Sequence, residues 1–154
     1  MKLTLPVLTV LLLLGCSHAS QNSVDSLIKA DKEFSQMSQD KGLGAAFIFY
    51  AADSVVKMRE GNFPIVGKAA MHDIYLPGTD SGLMLTWVPV KAEISLSGDL
   101  GYTFGNWELF VKSSDTTLYG NYVSIWKKQA DGSWKYVLDA GCNTPNPNCT
   151  ITTK

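Results

Sequence analysis

Hydrophobic and polar positions divide this chain into three stretches of different character. Leu3 to Leu14 carry no charge, with Lys2 before them and Gly15-Cys16 after. Residues 17–23 are small and polar and predict a short tether. From Val24 the apolar positions recur at helical spacing, with Val24, Leu27, Ile28 and Phe34 on one side, so a helix is expected from Val24. Asp31 interrupts that stripe. A second helix is expected over about 42–52. It is apolar all round, as a helix sandwiched between other elements would be.

After Asp53 the period changes. Residues 54–60 and 63–66 read as strands joined by a turn at Gly61-Asn62, and 67–75 as a short helix stopped by Pro77-Gly78. Four longer strand patterns follow at about 83–97, 100–113, 117–129 and 134–140. The turns between them, at 97–99, 114–115 and 130–133, are short enough to make an antiparallel meander. Two or three helices, a hairpin and a meander predict an α+β domain over 24–141, with the helices on one face of the sheet. The Asn/Pro/Thr-rich tail, 142–154, reads as irregular.

The leader is too short for a permanent membrane span, which takes roughly 20 apolar residues. A basic start, a short apolar core and a small residue before the cut are the parts of a secretory signal. Leu13-Leu14-Gly15-Cys16 resembles a bacterial lipobox, which makes 1–15 a lipoprotein signal peptide and Cys16 the lipidated first residue, anchored in the cell envelope at the periplasmic or outer-membrane face. The alternative is an ordinary cleaved signal with Cys16 unmodified. Seven extended tether residues would hold the domain within about 25 Å of the lipid, within reach of apolar molecules leaving the bilayer.

Removing the leader leaves 139 residues, enough for one domain with a core. They carry 12 basic and 14 acidic side chains, a balance that argues against a nucleic-acid partner. With Cys16 acylated, Cys142 and Cys149 remain. In an oxidising envelope that pair reads as a disulfide, worth roughly 2.5 kcal/mol on the chain-entropy account. No metal site and no cofactor are expected, because metal ligands do not cluster and there is neither a phosphate-cradling glycine loop nor a nucleophile elbow.

Several phrases then carry a resemblance. The most telling are Ser97-Gly98-Asp99-Leu100-Gly101-Tyr102-Thr103-Phe104-Gly105-Asn106-Trp107-Glu108, Tyr122-Val123-Ser124-Ile125-Trp126-Lys127-Lys128-Gln129 and Asp131-Gly132-Ser133-Trp134-Lys135-Tyr136-Val137-Leu138-Asp139. With Ala30-Asp31-Lys32-Glu33-Phe34-Ser35 and shorter phrases at 41–47, 52–56, 64–68 and 85–89, they span nearly the whole domain. In order and spacing the chain resembles the SnoaL-like, ketosteroid-isomerase-like superfamily, also called nuclear-transport-factor-two-like, in its branch of small bacterial proteins of unknown function. The resemblance implies a cone, a strongly curved and mostly antiparallel sheet with the helices on its concave face and a pocket between them, often in homodimers. It implies no activity, since the superfamily holds isomerases, cyclases, dehydratases and binding domains. Ketosteroid isomerases line the cone with a general-base Asp and an oxyanion-binding Tyr/Asp pair, and no phrase of this chain matches either set.

The residues suggest two kinds of site. Asp31 on an apolar helix face would be desolvated and suited to proton transfer, or would be a buried Asp satisfied by neighbouring donors. Asp139, near the end of the last strand, is expected on the face opposite Trp134, Tyr136 and Leu138; it is either an acid/base group or a strand-end residue. Tyr102 is a further acid/base candidate. Phe34, Trp87, Trp107, Tyr122 and Trp126 are the expected pocket aromatics, because Trp and Tyr bring a polar handle to an apolar wall. His72 and Arg59 read as surface residues. The favoured expectation is an anchored domain binding a small apolar molecule or a partner; the alternative is a cofactor-independent isomerase or lyase. The enzyme reading requires Asp31 and Asp139 to meet in one pocket.

Overall fold

A computed structural model describes residues 15–75, 78 and 80–147, with side chains from Val24 onward. Three helices, α1 (Gly15–Lys41), α2 (Leu43–Tyr50) and α3 (Lys68–Ile74), pack with six strands. The strands are β1 (Ala51–Arg59), β2 (Asn62–Val66), β3 (Leu83–Ile94), β4 (Leu100–Val111), β5 (Thr116–Lys128) and β6 (Trp134–Thr144). They form one open sheet in the order β2-β1-β6-β5-β4-β3. The expected meander runs antiparallel from β3 to β6, and β1 joins it by a parallel pairing with β6.

Boundaries differ from the sequence reading in three places. α1 starts at Gly15, so the residues taken as a tether are helical and continuous with the domain. Neither Gly nor Pro interrupts the chain between Gly15 and Gly42, and Gly42 ends the helix at φ 91°, a conformation a Cβ disfavours. Residues 51 and 52 belong to β1, not α2. β6 continues to Thr144, so Cys142 lies in the sheet and not in an irregular tail. Cys142 is exposed. Its expected partner Cys149, the leader's residues 1–14 and Pro77 lie outside the described residues, as does the Cys16 side chain. No helix among the described residues is long and apolar enough to cross a membrane.

The core lies between the helices and the concave face of the sheet. Phe34 is its centre, 1% exposed, stacked on Tyr136 at 5.5 Å and meeting Phe47, Trp87 and Trp126 edge-on. Edge-to-face pairs of this kind add about 0.5–1.5 kcal/mol each beyond the apolar area they bury. α1 approaches β4 closely at Gly101, where a Cβ would lie 2.8 Å from Leu27 Cδ2, so the small residue sets the helix–sheet spacing. α2 buries Gly44, Ala46 and Phe47 but leaves Phe49 52% exposed. That ring is covered by Lys135, whose Nζ lies 4.2 Å from its centroid, so α2 is less completely sandwiched than its composition predicts.

Candidate functional site

A cavity of about 260 Å³ opens between α1, α2 and the concave face of β1, β3, β4, β5 and β6. Strand alternation decides its wall. Leu85 and Trp87 on β3, Trp107 and Leu109 on β4, and Tyr122 and Ser124 on β5 face inward, with Phe34 and Phe47 contributed by the helices. Most of the surface is apolar or aromatic.

One part of the wall is polar. Lys57 of β1 forms an ion pair with Asp139 Oδ1, and Ser124 Oγ donates to Asp139 Oδ2 at 2.7 Å. The Lys57 and Asp139 side chains keep only 13% and 9% of their exposure. Lys57 Nζ also sits 3.9 Å from the centroid of the Phe47 ring, so the ammonium is held from two sides.

Asp139 reaches this wall through an irregularity that alternation along β6 does not announce. Trp126 pairs with Tyr136 and Ile125 with Leu138, which leaves Val137 as an extra residue on β6. The bulge reverses the alternation beyond it. Asp139 therefore shares the inward face with Trp134 and Tyr136, contrary to the expectation that it would oppose them.

Asp31 has no exposed surface and lies behind the cavity wall. Its Oδ1 accepts from Trp87 Nε1 at 2.8 Å and its Oδ2 from the Tyr122 hydroxyl at 2.6 Å. Ser35, one turn along α1, accepts the Trp87 backbone N–H at 2.9 Å. Burial pushes the Asp31 carboxyl above its ordinary pKa, while hydrogen bonds from Tyr122, Trp87 and Thr103 oppose that rise. The Tyr122 hydroxyl is also pushed up, first by burial and then by the charge of Asp31. Asp31 touches the two aromatic rings of the wall from behind, so its effect on a ligand runs through their positions.

The other expected residues divide. Phe34, Trp87, Trp107 and Tyr122 line the cavity. Trp126 does not: it is fully buried, with Nε1 donating to Thr103 Oγ1 at 2.9 Å, and belongs to the core. Tyr102 pairs with Glu93 and points to the opposite face of β4 from Thr103, so it is remote from the carboxylates it was grouped with. Arg59 is exposed at the cavity rim with Glu60, and His72 is exposed on α3. Sequence reasoning passed over Lys57 and gave Ser124 no role. The signal for Ser124 was present, a hydroxyl between Tyr122 and Trp126 on one strand face. Lys57, in a run of Val55, Val56 and Met58, carried none.

Gly120 makes room for the wall. A Cβ there would lie 2.1 Å from Trp107 ring atoms and 2.3 Å from the Cys142 carbonyl oxygen. Gly120→Ala is therefore expected to expel the Trp107 ring and break its hydrogen bond to the Asn121 carbonyl, 3.0 Å in the native chain. Overpacking of this kind costs about 1–3 kcal/mol. A lowered denaturation midpoint with altered tryptophan emission would show it, and an unchanged midpoint would show that the ring has room to yield.

Solved structures share this fold. An NTF2-like protein with a cystatin-like fold from Novosphingobium aromaticivorans superimposes with a TM-score of 0.67 at 12% identity, over 83% of this chain and 86% of its own. An NTF2-like protein of unknown function from Pseudomonas putida gives 0.68 at 13% identity, over 84% and 92%. The fold is NTF2-like. A ketosteroid isomerase-like protein from Erwinia carotovora atroseptica has the same fold, with a TM-score of 0.58 at 16% identity, over 87% of this chain and all of its own. No family model and no curated protein matches the sequence. The NTF2-like fold accounts for a cavity between helices and a curved sheet, whereas the side chains that line it here are this chain's own.

Proposed function

We propose that this chain is an envelope-anchored domain that binds a small, mostly apolar molecule in its cone. The observation that carries the reading is the cavity itself, an aromatic and aliphatic enclosure with one cluster of polar groups, which is the usual composition of a small-molecule site. A domain of purely structural use would gain more by filling that volume, since unfilled core space is destabilising.

In this reading Cys16 carries the lipid, Cys142 and Cys149 are joined, and two copies associate through the convex face, where Val88, Val90 and Phe104 are exposed. The exposed part of the cavity lining lies away from the early part of α1. Ser26 accepts from Trp134 Nε1 and Leu27 packs on Gly101, so the early part of α1 lies at the end of the sheet that carries the turns 95–99 and 129–133. Leu109, which lines the cavity together with the exposed Glu60 and Asn143, is eight residues beyond Gly101 along β4, roughly 26 Å at strand spacing.

Proton-transfer chemistry, as an isomerase or lyase, is the second reading, and the ionisable pair inside an apolar enclosure favours it. Asp31, however, lies behind the wall and does not line the cavity with Asp139, so the meeting of the two carboxylates that this reading required does not occur. Native mass spectrometry of the protein from its own host tests the first reading. A co-purified small molecule, a mass increment on Cys16, a dimer and the loss of two hydrogens at Cys142 and Cys149 are expected. A monomer without bound molecule, lipid or disulfide would remove the proposal's support.

A further inference from the structure

We propose that the cavity selects an uncharged ring compound carrying a hydroxyl group, read jointly by Lys57, Asp139 and Ser124. This rests on the reading of the cavity as a ligand site and adds the chemistry of the ligand.

Charge is the first constraint. The ionisable groups on the wall and rim are Lys57 and Arg59 against Asp139 and Glu60, so they cancel. The inner pair is already matched, ammonium to carboxylate, and neither side chain is more than 13% exposed. An anion placed there would face Asp139, and a cation would face Lys57, where little water screens either repulsion. A neutral ligand meets no such penalty.

Hydrogen-bonding capacity is the second constraint. Each Asp139 oxygen already accepts one bond, Oδ1 from Lys57 and Oδ2 from Ser124. Ser124 has spent its only hydrogen on that carboxylate, so its oxygen is left as an acceptor. An ammonium has three hydrogens, and the Asp139 bond uses one of them. The shared carboxylate thus holds a donor and an acceptor side by side. A hydroxyl is the simplest group that uses both, accepting from Lys57 and donating to Ser124. A carbonyl or an ether would use the donor alone. The remaining wall, Phe34, Leu85, Trp87, Trp107 and Leu109, suits the faces and edges of a ring. At about 260 Å³ the space lies below the usual 300–1,000 Å³ of drug-sized sites, which fits one or two rings.

The test compares three probes of one shape by titration calorimetry at neutral pH: 4-propylphenol, propylbenzene and 4-propylbenzoate. The phenol is expected to bind at least ten-fold more tightly than either of the others. Ser124→Ala should weaken that preference measurably, and an unchanged preference would overturn the role given to Ser124. Equal binding of phenol and propylbenzene overturns this inference and leaves the cavity reading standing. Tightest binding of the benzoate also overturns it, in favour of an anion site at Lys57 and Arg59. Binding of none of the three by folded protein overturns both readings. The three probes on the unaltered chain decide the question even if the variant does not fold.

Discussion

Asp31→Leu is expected to lower the folding free energy by roughly 2–6 kcal/mol, because it leaves two buried donors without an acceptor, at about 1–3 kcal/mol each. The donors are Trp87 Nε1 and the Tyr122 hydroxyl, which reach the carboxylate from β3 and β5. Stabilities of natural domains are about 5–15 kcal/mol, so the variant should be marginal or unfolded. Asp31→Asn should do less harm, since its amide oxygen still accepts from Trp87 and the Tyr122 oxygen can accept from its nitrogen. Denaturant titration of the three chains checks the order, and a leucine variant as stable as the native chain would show that the two rings find other partners.

The pH dependence of that pair has a definite sign. A carboxyl group with a raised pKa in the folded chain holds its proton more tightly there than in the unfolded chain. Its contribution favours folding fully below the unfolded value near 3.8 and is lost as the pH rises through the raised folded value. The native chain should therefore lose stability relative to Asp31→Asn across that window as pH increases. Parallel stability curves for the two chains would show that Asp31 titrates normally.

Asp139→Ala is expected to destabilise by about 3–5 kcal/mol, because it strands the Lys57 ammonium in a nearly dry site. Replacing both partners, as in Lys57→Met with Asp139→Leu, should recover most of the loss, since hydrophobic groups of similar volume often replace a buried ion pair at no net cost. The four chains form a double-mutant cycle whose coupling energy reports the pair directly. A loss below about 1 kcal/mol for Asp139→Ala would place the pair among solvent-exposed bridges. Because Ser124 and Lys57 both depend on Asp139, the same variant should also abolish any preference for a hydroxyl-bearing ligand.

Much of the fold was legible because burial follows period. The α1 stripe, the shared face of Tyr122, Ser124 and Trp126, and the meander from β3 to β6 are local patterns, and each stands in the structure as its spacing implies. That this shared face is the concave one is a tertiary result. Four of the five expected pocket aromatics, Phe34, Trp87, Trp107 and Tyr122, line the cavity. Trp126 was misplaced because alternation says which face a residue occupies but not how deep along the cone it lies. Asp31 was recognisable as unusual, yet its spacing could not say whether it would face the cavity or stand behind it.

By itself, the sequence determined the α+β class, the order of the elements, the antiparallel meander and which residues of β4 and β5 share a face, since all of these follow from hydrophobic period and turn chemistry over a few residues. Which of the two faces is the concave one was decided by the packing of the helices. The tertiary structure alone decided that Lys57, Ser124 and Asp139 meet. Their contact depends on the parallel pairing of β1 with β6, a long-range choice, and on one extra residue at Val137 that reverses the alternation of β6. A bulge leaves no periodic trace in its own strand, because its register exists only relative to its neighbour.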